Sequence, residues 1–385
     1  MKRFFVGCNI HFEAELEREL REIWPWLRGL DGRPQAEPLN ILETFSGGIL
    51  LEAPLHLGLQ INFFSKLANR VLLRVHESRV RDFPKLFQIL KGLQKDPFLQ
   101  GLRLNSEISA KESRLNNEKR ISEIVSEIFG EHEDSNQTLY IRMHQDFCSI
   151  SLDTTGIHLH KRSQRVSQGE APLRETLAAF VLRKMCGDRS AVELQNITLI
   201  DPMCGTGTLL REAATLFQPS WRQDFSFLEW NQTPKLLKSE SFRANFPVFP
   251  ALFAKLVARD RDSVSVVRAR DSLRVLSVPS EVQEQDLFRA SSFVSTQNSG
   301  RRSWVISNPP YGERLKAEFT PQELLQKIDQ VYNPERIGLL LGEAQSRFAK
   351  QIQIPGQRLE AQWPFQNGGL KVSFCLWSRS TKAHA

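Results

Sequence analysis

The stretch Ile200-Asp201-Pro202-Met203-Cys204-Gly205-Thr206-Gly207-Thr208-Leu209 decides how the second half of the chain is read. An apolar run before it, Ile197 to Ile200, reads as a buried strand, and the spacing of Thr208 to Phe217 reads as a helix. Gly205 and Gly207 let a backbone turn tightly and pass close to a ligand, and a helix N-terminus beyond them offers unpaired N–H groups. In a doubly wound sheet this is where a nucleoside-bearing cofactor sits. Leu210 occupies the third position of a dinucleotide glycine fingerprint, and no Gly-Lys-Ser/Thr follows, so NAD and ATP are disfavoured. Asp201, at the carboxyl end of the strand, is placed either to meet a cation such as an α-ammonium or to cap the turn.

Outward from this stretch the chain alternates helix and strand. A helix is expected over Pro172 to Met185, with strands over Phe253 to Ala258, Trp304 to Ser307 and Ile337 to Leu341. That alternation predicts an α/β fold with a mostly parallel sheet. Arg358 to Phe365, a turn at Asn367-Gly368-Gly369, and Leu370 to Ser378 read as a closing antiparallel hairpin. Asp260, after the second strand of the series, suits the hydroxyls of a ribose, while Asp262 suits a helix cap. Asp286, in Gln285-Asp286-Leu287-Phe288, is either an acceptor for an adenine amine flanked by Leu287 or Phe288, or an ordinary loop carboxylate.

A second motif, Ser307-Asn308-Pro309-Pro310-Tyr311-Gly312, closes the strand begun at Trp304. Consecutive prolines fix the backbone and remove its donors, so local carbonyls project as acceptors. The Asn308 side-chain oxygen and the Pro309 carbonyl can then accept together from one planar –NH₂ group, with Tyr311 offering a face for a base to stack on. A merely structural turn after a strand is the plainer reading, and the glycine motif about a hundred residues upstream weighs against it. The chemistry such a clamp serves is in-line attack of an amine on an electrophilic methyl, promoted chiefly by orientation.

The 385 residues, 41% of them hydrophobic and 25% charged, suffice for two to three domains at roughly 150 residues each. Collagen-like, disulfide-scaffold and wholly disordered chains are excluded by this composition. No apolar run approaches the about 18–20 residues of a membrane helix, and Lys2-Arg3-Phe4-Phe5-Val6 reads as a first strand because Asn9, His11 and Glu13 end its apolar character. Five scattered cysteines without Cys-x-x-Cys spacing suggest buried thiols in a reducing cytoplasmic protein, with no metal site.

Charge is distributed unevenly. Residues 1–64 carry six Lys/Arg and nine Asp/Glu, with an amphipathic helix expected over Glu13 to Glu22. Residues 65–120 carry thirteen Lys/Arg and six Asp/Glu, an excess equal to the chain's net +7. Strands are expected at Val71–Val75 and Leu102–Ala110, helices at Phe83–Lys91 and Glu118–Phe129, and a hairpin at Leu139–Met143 and Cys148–Asp153. A basic surface of this size attracts phosphate backbones, although a solvated face produces the same count.

Taken together, the Asp201–Leu209 motif and Asn308-Pro309-Pro310-Tyr311 resemble class I S-adenosylmethionine-dependent methyltransferases that act on exocyclic amines. The continuation Tyr311-Gly312-Glu313-Arg314-Leu315 is similar to that of guanine-N2 RNA methyltransferases carrying a THUMP domain. Ser151-Leu152-Asp153-Thr154-Thr155-Gly156 and Ala171-Pro172-Leu173-Arg174-Glu175-Thr176 resemble the junction between the two parts of that family. A departure occurs at Ala258-Arg259, where the family usually has a glycine nearby.

The resemblance implies a Rossmann-like methyltransferase sheet over 171–385, preceded by a ferredoxin-like module (1–64), a THUMP RNA-binding domain (65–157) and a linker (158–170). It implies S-adenosyl-L-methionine as cofactor, lined by Asp201, Met203, Cys204, Gly205, Gly207, Thr208, Asp260, Asp286 and Leu287. Asn308, Pro309, Pro310 and Tyr311 are implied at the target base, and Lys111, Arg114, Lys119, Lys161 and Arg162 at the RNA. The expected reaction is methylation of guanine N2 in structured RNA, 23S rRNA or its precursor particle, with no membrane partner. The same reaction on tRNA and a non-catalytic RNA-binding or assembly factor with a relic pocket are the alternatives.

Overall fold

The computed structural model describes residues 1–132, 134–162, 173–244, 246, 249–291, 302–310 and 319–380. It separates into two compact units, Met1–Arg162 with Pro219–Pro247, and Ser163–Gln218 with Val248–Ala385.

The first unit is built on one seven-stranded sheet of order β2-β3-β1-β4-β7-β6-β5. Its strands are β1 (Lys2–Gly7), β2 (Asn40–Phe45), β3 (Gly48–Ala53), β4 (Arg70–Arg79), β5 (Leu104–Lys111), β6 (Gln137–His144) and β7 (Phe147–Asp153). Neighbours run antiparallel except β5 and β6, which are parallel and joined through the helix Glu118–Phe129. In β6 the alternation is plain: Gln137, Leu139, Ile141 and Met143 are buried, while Arg142 and His144 are exposed. Because β1 pairs with β4, strands from both sides of residue 64 share this sheet, so the two N-terminal modules expected from the sequence have no break in sheet pairing between them.

Residues 219–247 belong to this unit rather than to the second half in which the sequence reading leaves them. The helix Leu55–Phe64 explains why. Eight of its ten residues are buried, and Phe63 meets the rings of Trp221, Phe225 and Phe227 with centroids 5.1, 5.3 and 5.7 Å away. Gln137 adds polar ties, its Nε2 donating to Ser226 O (3.1 Å) and its Oε1 accepting from Trp230 Nε1 (2.7 Å).

The second unit carries the other seven strands, in the order β10-β9-β8-β11-β12-β14-β13. These are β8 (Ile197–Asp201), β9 (Lys255–Asp260), β10 (Ser280–Glu284), β11 (Arg302–Ser307), β12 (Arg336–Gly342), β13 (Gln357–Asn367) and β14 (Leu370–Arg379). The first five are mutually parallel, and β14 inserts antiparallel between β12 and β13. At the turn, Gly368 and Gly369 both hold positive φ, as a two-residue type I′ hairpin loop requires. The central parallel strands are mostly buried because helices cover both faces: β8 is buried at all five positions and β12 at six of seven, whereas the edge strand β10 is largely exposed. The helix expected from Pro172 begins at Glu175, and Pro172 itself lies outside the described residues, as do the rest of the 163–172 segment and residues 292–301.

The sheet order reverses between β8 and β11, with β9 and β10 on one side and β12 to β14 on the other. Such a switch point opens a crevice at the carboxyl ends of the strands. Asp201 and Ser307 end the two strands that flank it.

Candidate active site

β8 delivers Asp201 into a buried position, 1% exposed. Its Oδ1 accepts from Ser307 Oγ (2.7 Å) and from Met203 N (3.2 Å). Burial pushes its carboxyl up to about 7 despite those two bonds, and the neighbouring Asp260 charge adds to the rise. Met203 is half-buried against the core, and the thiol of Cys204, held up by burial, is inert.

The loop after Asp201 is folded by its own amides. Cys204 N donates to Arg259 O (2.9 Å), Gly205 N to Asp260 Oδ2 (2.8 Å), and Gly207 N to Cys204 O (2.8 Å). Gly205 and Gly207 are needed for different reasons. Gly205 has φ +51° and open space where a side chain would be, whereas Gly207 has φ +82° and a Cβ there would lie 3.4 Å from Ala269 Cβ. Gly207 then caps the helix Thr208–Thr215, whose Thr208 is half-buried at the loop end.

Asp260, at the end of β9, ties two loops: besides Gly205 N it accepts from Asp262 N at Oδ1 (3.0 Å). A carboxylate has about four lone-pair sites, so capacity for ribose hydroxyls remains. Asp262 caps the helix Ser263–Arg274 by accepting from Val264 N and Ser265 N, as its position suggests. Asp286 holds the short turn Leu287–Arg289 through Phe288 N (2.9 Å), with Leu287 buried and Phe288 stacked on Phe319 at 4.9 Å. The departure at Ala258-Arg259 leaves the loop intact: Arg259 turns its guanidinium to the Glu281 carboxylate and the Ala258 carbonyl, while its own carbonyl receives Cys204 N.

Asn308 follows β11 directly. Its side-chain Oδ1 is buried and has no hydrogen-bond partner among the described residues. A buried acceptor left open costs about 1–3 kcal/mol, and at the carboxyl end of β11 this oxygen has capacity for a donor. Pro309 is buried and Pro310 half-buried beside it, while Tyr311 and residues 312–315 lie outside the described residues. Ser307 is the site residue that sequence reasoning misses, since its hydroxyl partner lies 106 positions away.

In the first unit Lys111, Arg114, Lys119 and Lys161 are exposed. Arg114 lies in a loop tied to the β6–β7 turn, its N donating to Asp146 Oδ1 (2.9 Å) and its Nε 3.6 Å from Asp146 Oδ2. Arg81 approaches the same carboxylate at 3.6 Å, so two guanidinium groups share one acid beside an open pocket that includes Ser113 and Asn116. Arg162 is turned inward instead, donating to the carbonyls of Leu159 and Lys66 at 2.9 Å each. Among the described residues no His, Cys, Asp or Glu cluster is arranged to hold a metal ion, and no helix is long and apolar enough to cross a membrane.

Known proteins share this geometry's scaffold. The family model described as UPF0020: RMKL-like, methyltransferase domain, matches residues 162–354, half of the chain. Ribosomal RNA large subunit methyltransferase K/L of Marinobacter nauticus is 26% identical over 97% of this chain and 52% of its own. The chain thus spans about half the length of that relative. Among solved structures, SMU.472, complexed with SAH, aligns over 98% of both chains with a TM-score of 0.74 and 21% identity. TrmN from Thermus thermophilus aligns over 99% of this chain and all of its own with a TM-score of 0.65 and 14% identity. These structural likenesses establish the fold.

Proposed function

This chain belongs to the UPF0020 RMKL-like methyltransferase-domain family, and from that premise we propose that it methylates the exocyclic N2 amine of a guanine in structured RNA, with 23S rRNA as substrate. The observation that carries the reading is the buried Oδ1 of Asn308, unpartnered among the described residues, at the end of β11 and beside the strand that ends in Asp201. An amide oxygen held that way suits a planar –NH₂ donor. The large-subunit rRNA methyltransferase K/L name of a relative aligned over 97% of the chain favours 23S rRNA.

S-adenosyl-L-methionine, when bound, would supply an electrophilic methyl group on its sulfonium sulfur. The residues present fit it: open space at Gly205, the Asp201 carboxylate for an ammonium, Asp260 for ribose hydroxyls, and Asp286 with Leu287 for an adenine. Met203, Cys204, Gly207 and Thr208 shape the loop around it.

Asn308 Oδ1 and the Pro309 carbonyl accept the two N–H bonds of the target amine, which draws electron density onto nitrogen and fixes its lone pair for in-line attack. Tyr311 stacks on the swung-out base. The nitrogen, cationic once methylated, is strongly acidic and releases its proton to water, so no carboxylate base is required. The first unit serves as a THUMP-containing RNA-docking part, with Lys111, Arg114, Lys119 and Lys161 toward the phosphates.

The test is incubation with isotopically labelled S-adenosyl-L-methionine and unmodified 23S rRNA, large-subunit precursor particles or tRNA, followed by nucleoside mass analysis. N2-methylguanosine from the rRNA arms is expected. The same product from tRNA alone would reassign the substrate, a methylated adenosine would overturn the guanine assignment, and no label in any arm would overturn methyl transfer. Asn308→Ala should lower kcat by about 10²-fold or more while leaving cofactor affinity nearly unchanged; normal turnover would refute the clamp.

A further inference from the structure

Ser307 has no role in the scheme above, yet its surroundings single it out. The side chain is 1% exposed, and its hydroxyl donates across the switch point to Asp201 Oδ1 at 2.7 Å. The β8–β11 ladder has its last matched pair at Val305 and Ile200, so this bond lies just beyond the pairing, where the two strands hand over to the cofactor loop and to Asn308.

The Asp201 carboxylate needs such support. Among the described residues, the titratable groups that face it are Asp260 at the end of β9, Cys204 in the glycine loop, and Tyr332 at the end of the helix Pro321–Tyr332. None of these is a cation. Arg259, the nearest guanidinium on β9, is committed to Glu281. The charged form of Asp201 therefore rests on the Met203 amide and the Ser307 hydroxyl.

We propose that Ser307 is a positioning residue that keeps the Asp201 carboxylate charged and aimed at the ammonium of the methyl donor, tying donor binding to the strand that presents the Asn308 amide. This rests on the reading of Asp201 as the ammonium contact. Within it, Ser307 touches neither donor nor base and acts through Asp201. A serine that merely filled space would be replaceable by alanine without changing how binding responds to pH.

The experiment is calorimetric titration of the full chain with S-adenosyl-L-homocysteine, which keeps the ammonium but has no transferable methyl, and with adenosine, which lacks the ammonium. Both are measured from about pH 5.5 to 9 on the wild type and on Ser307→Ala, Ser307→Thr and Ser307→Cys. For the wild type, affinity for S-adenosyl-L-homocysteine should rise with pH through a midpoint at about 7 and level off about one unit higher, because the proton on Asp201 must leave before the ammonium can pair with it. Ser307→Ala should move that midpoint upward by about one pH unit, weakening binding about fivefold at neutral pH and approaching about tenfold at about pH 5.5, with adenosine affinity unchanged. Threonine, which keeps the hydroxyl, should restore both properties.

An unaltered pH profile in Ser307→Ala, or equal losses for both ligands, would overturn the proposal by leaving only a structural role. Failure of the wild type to bind S-adenosyl-L-homocysteine at all would instead overturn the cofactor reading itself. Should Ser307→Ala not fold, as a thermal unfolding scan would reveal, Ser307→Cys, near in shape and a weaker donor, must show the same upward shift in smaller measure, and an unshifted profile there is equally fatal.

Discussion

Gly207 is held at φ +82° against Ala269, so Gly207→Ala places a methyl group in a left-handed backbone with 3.4 Å of clearance. The strain is about 1–2 kcal/mol, to be read as a lowered thermal midpoint together with weaker donor binding. Asp201 carries a pH dependence of definite sign. Its folded value, about 7, lies above its unfolded value near 3.8, so the folded state keeps the proton longer. Its contribution to stability should therefore fall as pH rises from about 4 to about 7 and stay flat above, and S-adenosyl-L-homocysteine should raise the unfolding temperature more at pH 8 than at pH 6. Asp201, the two glycines and the Asp262 cap were legible in the sequence because their partners are two to four residues away or are set by strand ends. The fates of Ser307 and Arg259 were not, since strand register decides them across 106 and 22 positions.

Legibility among the elements follows burial. β8, β11 and β12 announce themselves as short apolar runs because both their faces are covered, and the β13–β14 hairpin by its paired glycines. The helix Leu55–Phe64 reads Leu-His-Leu-Gly-Leu-Gln-Ile-Asn-Phe-Phe and shows no apolar stripe, because sheet strands cover one side of it and rings from 219–247 another. The edge strands β2 and β10 fail in the opposite way: Asn40–Phe45 and Ser280–Glu284 are largely exposed, the first mixing Ile41, Leu42 and Phe45 with polar residues and the second polar but for Val282, so neither shows a buried apolar run. At Gly338 in β12 an added Cβ would lie 2.7 Å from the Phe374 ring of β14. Gly338→Ala should cost about 1–3 kcal/mol through overpacking, visible in a denaturant midpoint, with cofactor affinity changed little in the fraction that folds.

Over the whole molecule, net charge overstates the basic surface. Of the cations in residues 65–120, Lys66 is buried, Arg70 is paired with Asp153, and Arg74 is half-buried. Lys111, Arg114 and Lys119 remain exposed. Neutralising those three together should weaken RNA binding and reduce the slope of log affinity against log salt by about 2 to 3, and an unchanged slope would remove them from the interface. The excursion of residues 219–247 has a consequence for the order in which a ribosome makes the chain. A domain usually closes as soon as its last residue has emerged, but the core around Phe63 waits for Trp221, Phe225 and Phe227, which are made only after β8 and the glycine loop of the other unit. A nascent chain halted at residue 218 should thus be cut readily around Leu55–Phe64, and one extended past residue 247 should resist.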